Sequence, residues 1–241
     1  MKRKILSLCF AALVALFLGG PTIASAANPE AIVCDFALST VSIFDVANPS
    51  TPATTVSTGA GSIPIVLAIT PNASQAWVCD QITNTISVID LASKAVAGTI
   101  ALAANPSAGA IRPDGSEALV VTPTGLSFFN VATRVLETSI AISGSPIGVA
   151  ITPDNTQAWV TQNSTDSVAV IDLASRSMVM QVLLPSGFSP LSISMTPNGT
   201  QACIVDPKNW TGKVVNFMLL KSLSMETKYE QSTEDPTNGG L

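Results

Sequence analysis

The chain has 241 residues, of which 47% are apolar and only 11% charged, and it contains no histidine. That apolar content suffices for one domain with a sizeable core and excludes a disordered chain. The missing histidine excludes Ser-His-Asp and Cys-His catalytic units, His-ligated zinc or copper, and CxxCH haem attachment.

Residues 1–26 read as a leader rather than as part of a fold. Lys2, Arg3 and Lys4 are followed by an apolar run, Ile5 to Leu18, which is broken by Gly19, Gly20 and Pro21. Ala24-Ser25-Ala26 is a small-x-small cleavage site, so the expectation is a signal peptide cut after Ala26 and export to the periplasm or the extracellular space. The run is shorter than the roughly 20 residues a membrane-spanning helix takes, and no later stretch is long and apolar enough. Removing the leader leaves eight bases against sixteen acids, a net charge of −8. A chain this acidic, with scattered bases, offers no electrostatic footprint for nucleic acid. Cys34, Cys79 and Cys203 remain, an odd number matching no metal motif, and their apolar neighbours favour small core residues.

From residue 27 to about 217 the chain is one motif repeated. AITPN (68–72), AIRPD (110–114), AITPD (150–154) and SMTPN (194–198) align, with Pro71, Pro113, Pro153 and Pro197 spaced by 42, 40 and 44 residues. Each is followed by a short apolar run: AWVCD (76–80), ALVVT (118–122), AWVTQ (158–162) and ACIVD (202–206). Second runs are TISVID (85–90), LSFFN (126–130), SVAVID (167–172) and a weaker KVVN (213–216); third runs are VAGTIAL (96–102), VLETSIAI (135–142) and MVMQVLL (178–184). AIVCDFALSTVSIFD (31–45) aligns without a gap to residues 76–90, which makes five repeats, the first lacking its opening strand. The runs are short, rich in Val, Ile, Thr and Ala, and bounded by turn residues, so each predicts a strand. Near-continuous apolar runs predict sheets covered on both faces.

Three stretches of the second repeat, Ile69-Thr70-Pro71-Asn72, Trp77-Val78-Cys79-Asp80 and Thr85-Ile86-Ser87-Val88-Ile89-Asp90, resemble the YVTN family of β-propeller repeats. So do Ile151-Thr152-Pro153-Asp154, Trp159-Val160-Thr161-Gln162 and Val168-Ala169-Val170-Ile171-Asp172. The chain departs from that pattern with Trp or Leu for the tyrosine and Asp, Thr or Gln for the asparagine. The resemblance implies an all-β propeller of about five four-stranded blades, often at the cell envelope, and no particular activity. Propellers typically close with about 4–8 blades, yet residues 218–241 form a polar tail with no AITPD-like segment to complete the first blade. An incomplete or open ring is therefore favoured over closure.

Propellers bind along the central channel or on one loop face. The channel strands at 65–70, 107–112, 147–152 and 191–196 hold one charged residue, Arg112, a candidate anion contact; pairing with Asp114 or a neighbouring blade is the favoured reading. The loop face offers Asp80, Asn84, Gln162, Asn163, Asp166, Asp206 and Trp210 for a protein partner or a small polar ligand, with solvated loops the plainer reading. Asp45, Asp90 and Asp172, with Asn130, recur after a strand and predict turn caps. Asn72, Asn163, Asn198 and Asn209 head Asn-x-Ser/Thr triplets, which a chain rich in Ser and Thr produces by chance as readily as by glycosylation. The expectation is a non-enzymatic binding or interaction scaffold, without cofactor or metal and with a homodimer open to it. A propeller enzyme or enzyme subunit (lactonase-like or quinoprotein-dehydrogenase-like) is the alternative, and a truncated remnant of a longer propeller is a further one.

Overall fold

The computed structural model describes residues 30–206 and 216–221. Residues 1–29, which include the segment expected to be a leader, and residues 222–241 lie outside the described residues, as do Lys208, Asn209 and Trp210. The described residues are all-β, with five antiparallel sheets in sequence order and one 3₁₀ turn at Asn163–Thr165 among them. Sheet 1 is β1 (Glu30–Asp35), β2 (Thr40–Asp45) and β3 (Thr54–Ser57). Sheet 2 is β4 (Pro64–Ile69), β5 (Gln75–Asp80), β6 (Thr85–Asp90) and β7 (Ala95–Ala101). Sheet 3 is β8 (Ala108–Ile111), β9 (Glu117–Thr122), β10 (Gly125–Asn130) and β11 (Leu136–Ala141). Sheet 4 is β12 (Pro146–Ile151), β13 (Gln157–Gln162), β14 (Ser167–Asp172) and β15 (Ser177–Leu183). Sheet 5 is β16 (Ser192–Met195), β17 (Gln201–Asp206) and β18 (Asn216–Lys221).

The opening strands β4, β8, β12 and β16 lie beside one another in that order, and β1 lies beside β4. Among the described residues sheet 1 has three strands, and its β1–β2 pair has the register of β5–β6, as the gapless alignment predicts. At the other end the expectation shifts. Residues 213–215 of the KVVN run lie outside the described residues; the described strand β18 runs from Asn216 to Lys221, into the segment assigned to the tail. Its six residues pair along the whole of β17, from Asp206↔Asn216 to Gln201↔Lys221, a register that uses the apolar run Phe217-Met218-Leu219-Leu220.

Two turns recur, each closed by side chains that the sequence places at fixed offsets. After the opening strand, the Thr70 hydroxyl oxygen accepts the Gln75 N–H at 3.0 Å and its O–H donates to the Gln75 carbonyl at 3.2 Å; Thr152–Gln157 and Thr196–Gln201 do the same. Asn72, Asp114, Asp154 and Asn198 each accept the N–H two residues on. The next residue is left-handed, at φ +54, +75, +64 and +67 for Ala73, Gly115, Asn155 and Gly199, so Gly and Asn are favoured there. In the later turn Asp45, Asp90, Asn130 and Asp172 cap backbone N–H groups, as their recurrence predicts.

The core lies between the sheets rather than within one centre. Trp77, Cys79, Ile86 and Val88 of sheet 2 pack on Ala118, Val120 and Phe129 of sheet 3. Leu119, Val121 and Phe128 of sheet 3 pack on Val149, Ala158 and Val160 of sheet 4, and Trp159 and Val170 of sheet 4 pack on Ile193, Ala202 and Ile204 of sheet 5. The second strand of each inner sheet is thus covered on both faces, and all six residues of β9 are buried.

Candidate functional site

β5 and its equivalents in the other sheets, β1, β9, β13 and β17, end on the same face, at Asp80, Asp35, Thr122, Gln162 and Asp206. A shared backbone frame holds this loop face together. In sheet 2 the N–H groups of Gln81 and Ile82 donate to the carbonyls of Ile63 and Ser62; in sheet 4 those of Asn163 and Ser164 donate to Ser145 and Gly144. Ile63 sits at φ +52 and Ser145 at +55, just before the prolines that open β4 and β12. A β-branched residue in that region is strained, so the frame is over-determined by its hydrogen bonds.

Within this frame Asp80 and Gln162 occupy equivalent positions with different outcomes. Gln162 is buried and fully engaged: its Nε2 donates to the Ser143 carbonyl at 2.8 Å, and its Oε1 accepts from Ser167 Oγ at 3.0 Å and Gln181 Nε2 at 3.1 Å. Asp80 is wholly buried, and its Oδ2 accepts from Ser87 Oγ at 2.6 Å. Its Oδ1 has no donor in hydrogen-bonding geometry, although the Thr58 and Ser62 hydroxyls stand nearby. Burial pushes the Asp80 carboxyl above the ordinary range, against the lowering effect of the Ser87, Thr58 and Ser62 hydroxyls. Burial, reinforced by the Asp80 charge, also raises the Cys34 and Cys79 thiols to about 12, and burial raises Cys203. Cys34, Cys79 and Cys203 are free thiols of the protonated, unreactive kind.

Two of the remaining loop candidates, Asp166 and Asn163, hold backbone in place. Asp166, at φ +46, accepts the N–H groups of Gly187 at 2.6 Å and Ser189 at 2.9 Å, and Asn163 Nδ2 donates to the Pro190 carbonyl at 3.3 Å. Together they pin the long connection from β15 to β16. Asn84 is exposed and left-handed, and its carbonyl accepts the Leu102 N–H. Asp206 is buried at the end of β17, and Trp210 lies outside the described residues. Gln162, Asn163 and Asp166 therefore share one loop, while Asp80 and Asn84 belong to sheet 2, with sheet 3 intervening.

Arg112 lies at the opposite, turn face, where its three donor nitrogens have partners. Nη1 pairs with Glu117 Oε2, Nε donates to Asn155 Oδ1 at 2.8 Å, and Nη2 donates to the Asn155 carbonyl at 3.2 Å. Asp114 is 4.0 Å away. The guanidinium ties sheet 3 to sheet 4 and presents no free fork to an anion.

Sequence reasoning missed the neighbours of this arginine. Arg176 reaches back from sheet 4 to both Glu117 and Glu137 of sheet 3, and its guanidinium lies 5.3 Å over the Phe128 ring. Its partnership with Glu137 raises the arginine pKa further and lowers that of Glu137. Arg134 donates to the Ala97 carbonyl of sheet 2 at 2.8 Å, and Lys94 pairs with Glu30 of sheet 1 at 2.9 Å. The signal was present: DLASK, NVATR and DLASR each place a base four residues after the strand-ending Asp or Asn. All three bases are left-handed, which directs each side chain to the sheet before it.

Among the described residues, no three His, Cys, Asp or Glu side chains converge as a metal site would require. No helix of the described residues is long and apolar enough to cross a membrane.

No family model and no curated protein matches the chain. Among solved structures it is similar to a chain of Kuenenia stuttgartiensis hydrazine synthase, with a TM-score of 0.72 at 21% identity over 80% of this chain. The match spans 60% of that chain. At that identity the likeness shows the fold alone, an all-β stack of antiparallel sheets.

Proposed function

We propose that the chain is an exported, non-enzymatic interaction scaffold of the YVTN-like β-propeller kind, five blades in an open arc, working in the periplasm or cell envelope. The reading is carried by what the ionisable groups do. Lys94, Arg112, Arg134 and Arg176 bind sheet to sheet, and Asp166 and Asn163 hold loops, so the charged chemistry serves the architecture rather than a reacting centre.

What the molecule leaves for a partner is surface. Phe36, Leu38 and Ile82 stand 52%, 69% and 62% exposed on the equivalent loops of sheets 1 and 2. Among the described residues no further sheet lies against the outer faces of sheets 1 and 5. Ala31, Val33, Ser42 and Phe44 share one side of sheet 1, and Cys203 and Val205 share one side of sheet 5. A second copy, laying one outer face on the other, would cover both.

The test is site-specific photo-crosslinking in the native host, with the probe at Leu38 on the loop face and at Val179 on the outer edge. The scaffold reading expects a discrete protein adduct from Leu38 and none from Val179. Equal labelling from both positions, or none from Leu38, overturns it.

A further inference from the structure

Asp80 sits at the loop-face end of β5, on the side of the strand that carries Ala76 and Val78 into the core shared with sheet 1. What sheet 1 places opposite is unlike the other sheets. The residue that follows the outermost strand and donates its N–H to the preceding loop is Leu102, Ile142 and Leu184 in sheets 2, 3 and 4, but Thr58 in sheet 1. Thr58 brings a hydroxyl to Asp80, and Ser62, which is fully buried, brings a second.

These groups form a line from sheet 2 to sheet 1. Thr58 Oγ1 lies 2.6 Å from Ser62 Oγ and 3.3 Å from the Ser39 carbonyl, to which the Thr58 N–H also donates at 3.1 Å. The Ser87 hydroxyl serves Asp80 Oδ2 at 2.6 Å, and Oδ1 has no donor. Three links would join Oδ1 to Ser39: from the carboxyl to the hydroxyl pair, within the pair, and from Thr58 to the Ser39 carbonyl. An ionised Asp80 brings no proton, so two hydroxyls serve three links and one stays open. A protonated Asp80 supplies the third donor, and each bond then polarises the next. Gln162 shows what a donor does at this position: its Nε2 reaches the Ser143 carbonyl of the incoming connection at 2.8 Å.

Among the described residues, the titratable groups near this line are thiols. Cys34 faces it from β1 and Cys79 precedes Asp80 on β5, and both stay protonated beside the carboxyl. Asp35 alternates to the other side of β1, where it accepts the Ala37 and Leu38 N–H groups. Strands β2, β3, β4 and β6 and the 58–63 connection bring no charged residue to this end. Burial, which pushes the Asp80 carboxyl above the ordinary range, favours the protonated form. We propose that Asp80 is a proton-operated latch: protonated, it closes the line to Ser39 and fixes the loop that presents Phe36 and Leu38; ionised, it releases one link. Acidification closes the latch, with the proton taken from solvent. The latch stands on its own geometry, and its bearing on partner docking rests on the scaffold reading.

The test is residue-resolved amide hydrogen exchange on residues 27–241 from acid to neutral pH, expressed as protection factors so that the intrinsic pH dependence is removed. The Thr58 and Ile82 amides, which donate to Ser39 and Ser62, should lose about tenfold in protection as Asp80 ionises, the equivalent of one hydrogen bond. The equivalent amides elsewhere, Ile142 to Thr124 and Ser164 to Gly144, should hold level. Asp80→Asn keeps a donor at every pH and should give level, high protection. Thr58→Val, apolar as in the other sheets, should give level, low protection. One pH profile shared by Ile82 and Ser164, or a fall that persists in either variant, overturns the proposal. If Thr58→Val fails to fold, Asp80→Asn against the wild type decides it. None of these readouts needs a partner, so failure of the latch and failure of the scaffold reading are separable.

Discussion

Phe44 and Phe129 occupy the same position of the repeat, the last apolar residue before the capping Asp45 or Asn130, and each pairs with an alanine across the ladder. Phe129 is 2% exposed and Phe44 is 38% exposed. The difference lies in the neighbour, not in the residue. Phe129 points back onto Trp77 and Val88 of sheet 2, whereas sheet 1 has no preceding described sheet to receive Phe44. The equivalent strands β1, β9 and β17 agree: β9 is buried throughout, while β1 is exposed or half-buried at every residue and β17 alternates. A stacked repeat buries each unit by means of its neighbours, so its two ends carry the surface its middle hides.

The comparison is broken most directly by truncation at both phenylalanines. Phe129→Ala should cost about 3–5 kcal/mol in urea unfolding, the range for a buried phenylalanine. Phe44→Ala should cost less than about 1 kcal/mol, as at a largely open site. Equal costs would mean that something covers sheet 1. The ion pairs give a smaller contrast. Glu117 is buried between Arg112 and Arg176 of adjoining sheets, so Glu117→Gln should cost about 3 kcal/mol, near the low end for breaking a buried pair. Lys94→Ala removes a half-exposed pair to sheet 1 and should cost under about 1 kcal/mol.

Asp80 gives the smallest effect, with the opposite sign. Its raised pKa means that the folded state keeps the proton to higher pH than the unfolded state. Stability therefore falls as pH rises from the ordinary carboxylate range through the raised value, and is level above it. Asp80→Asn removes the desolvated charge and should raise neutral-pH stability by about 1 kcal/mol, the low end for an unsatisfied buried group. Melting curves across acid pH should show that gain vanish once the wild-type carboxyl is protonated.

The strands were legible because two turn signatures punctuate them. Thr85–Asp90 and Ser167–Asp172 fall where the repeated pattern places them, and the pairing of β1 with β2 follows the gapless alignment to residues 76–90. Strand β18 was not legible, since a decayed repeat loses its turn residues before it loses its pairing partner. The loop candidates were legible as positions but not as roles. Asp80 and Gln162 look alike in sequence as polar residues ending a strand. Only the surrounding hydroxyls and amides, brought in from Thr58, Ser62, Ser143 and Gln181, make one an orphaned acceptor and the other a closed network. Arg112 could be read as pairing locally or across sheets, and its partner Asn155 lies 43 residues on.

Whether the end faces are open is tested most directly by size-exclusion chromatography with light scattering on residues 27–241 and on the same chain carrying Phe44→Asp. An open arc whose outer faces meet in a second copy predicts a dimer that the aspartate converts to a monomer, with the fold retained by circular dichroism. A wild-type chain that is monomeric at every concentration, or a dimer that Phe44→Asp leaves intact, would contradict it.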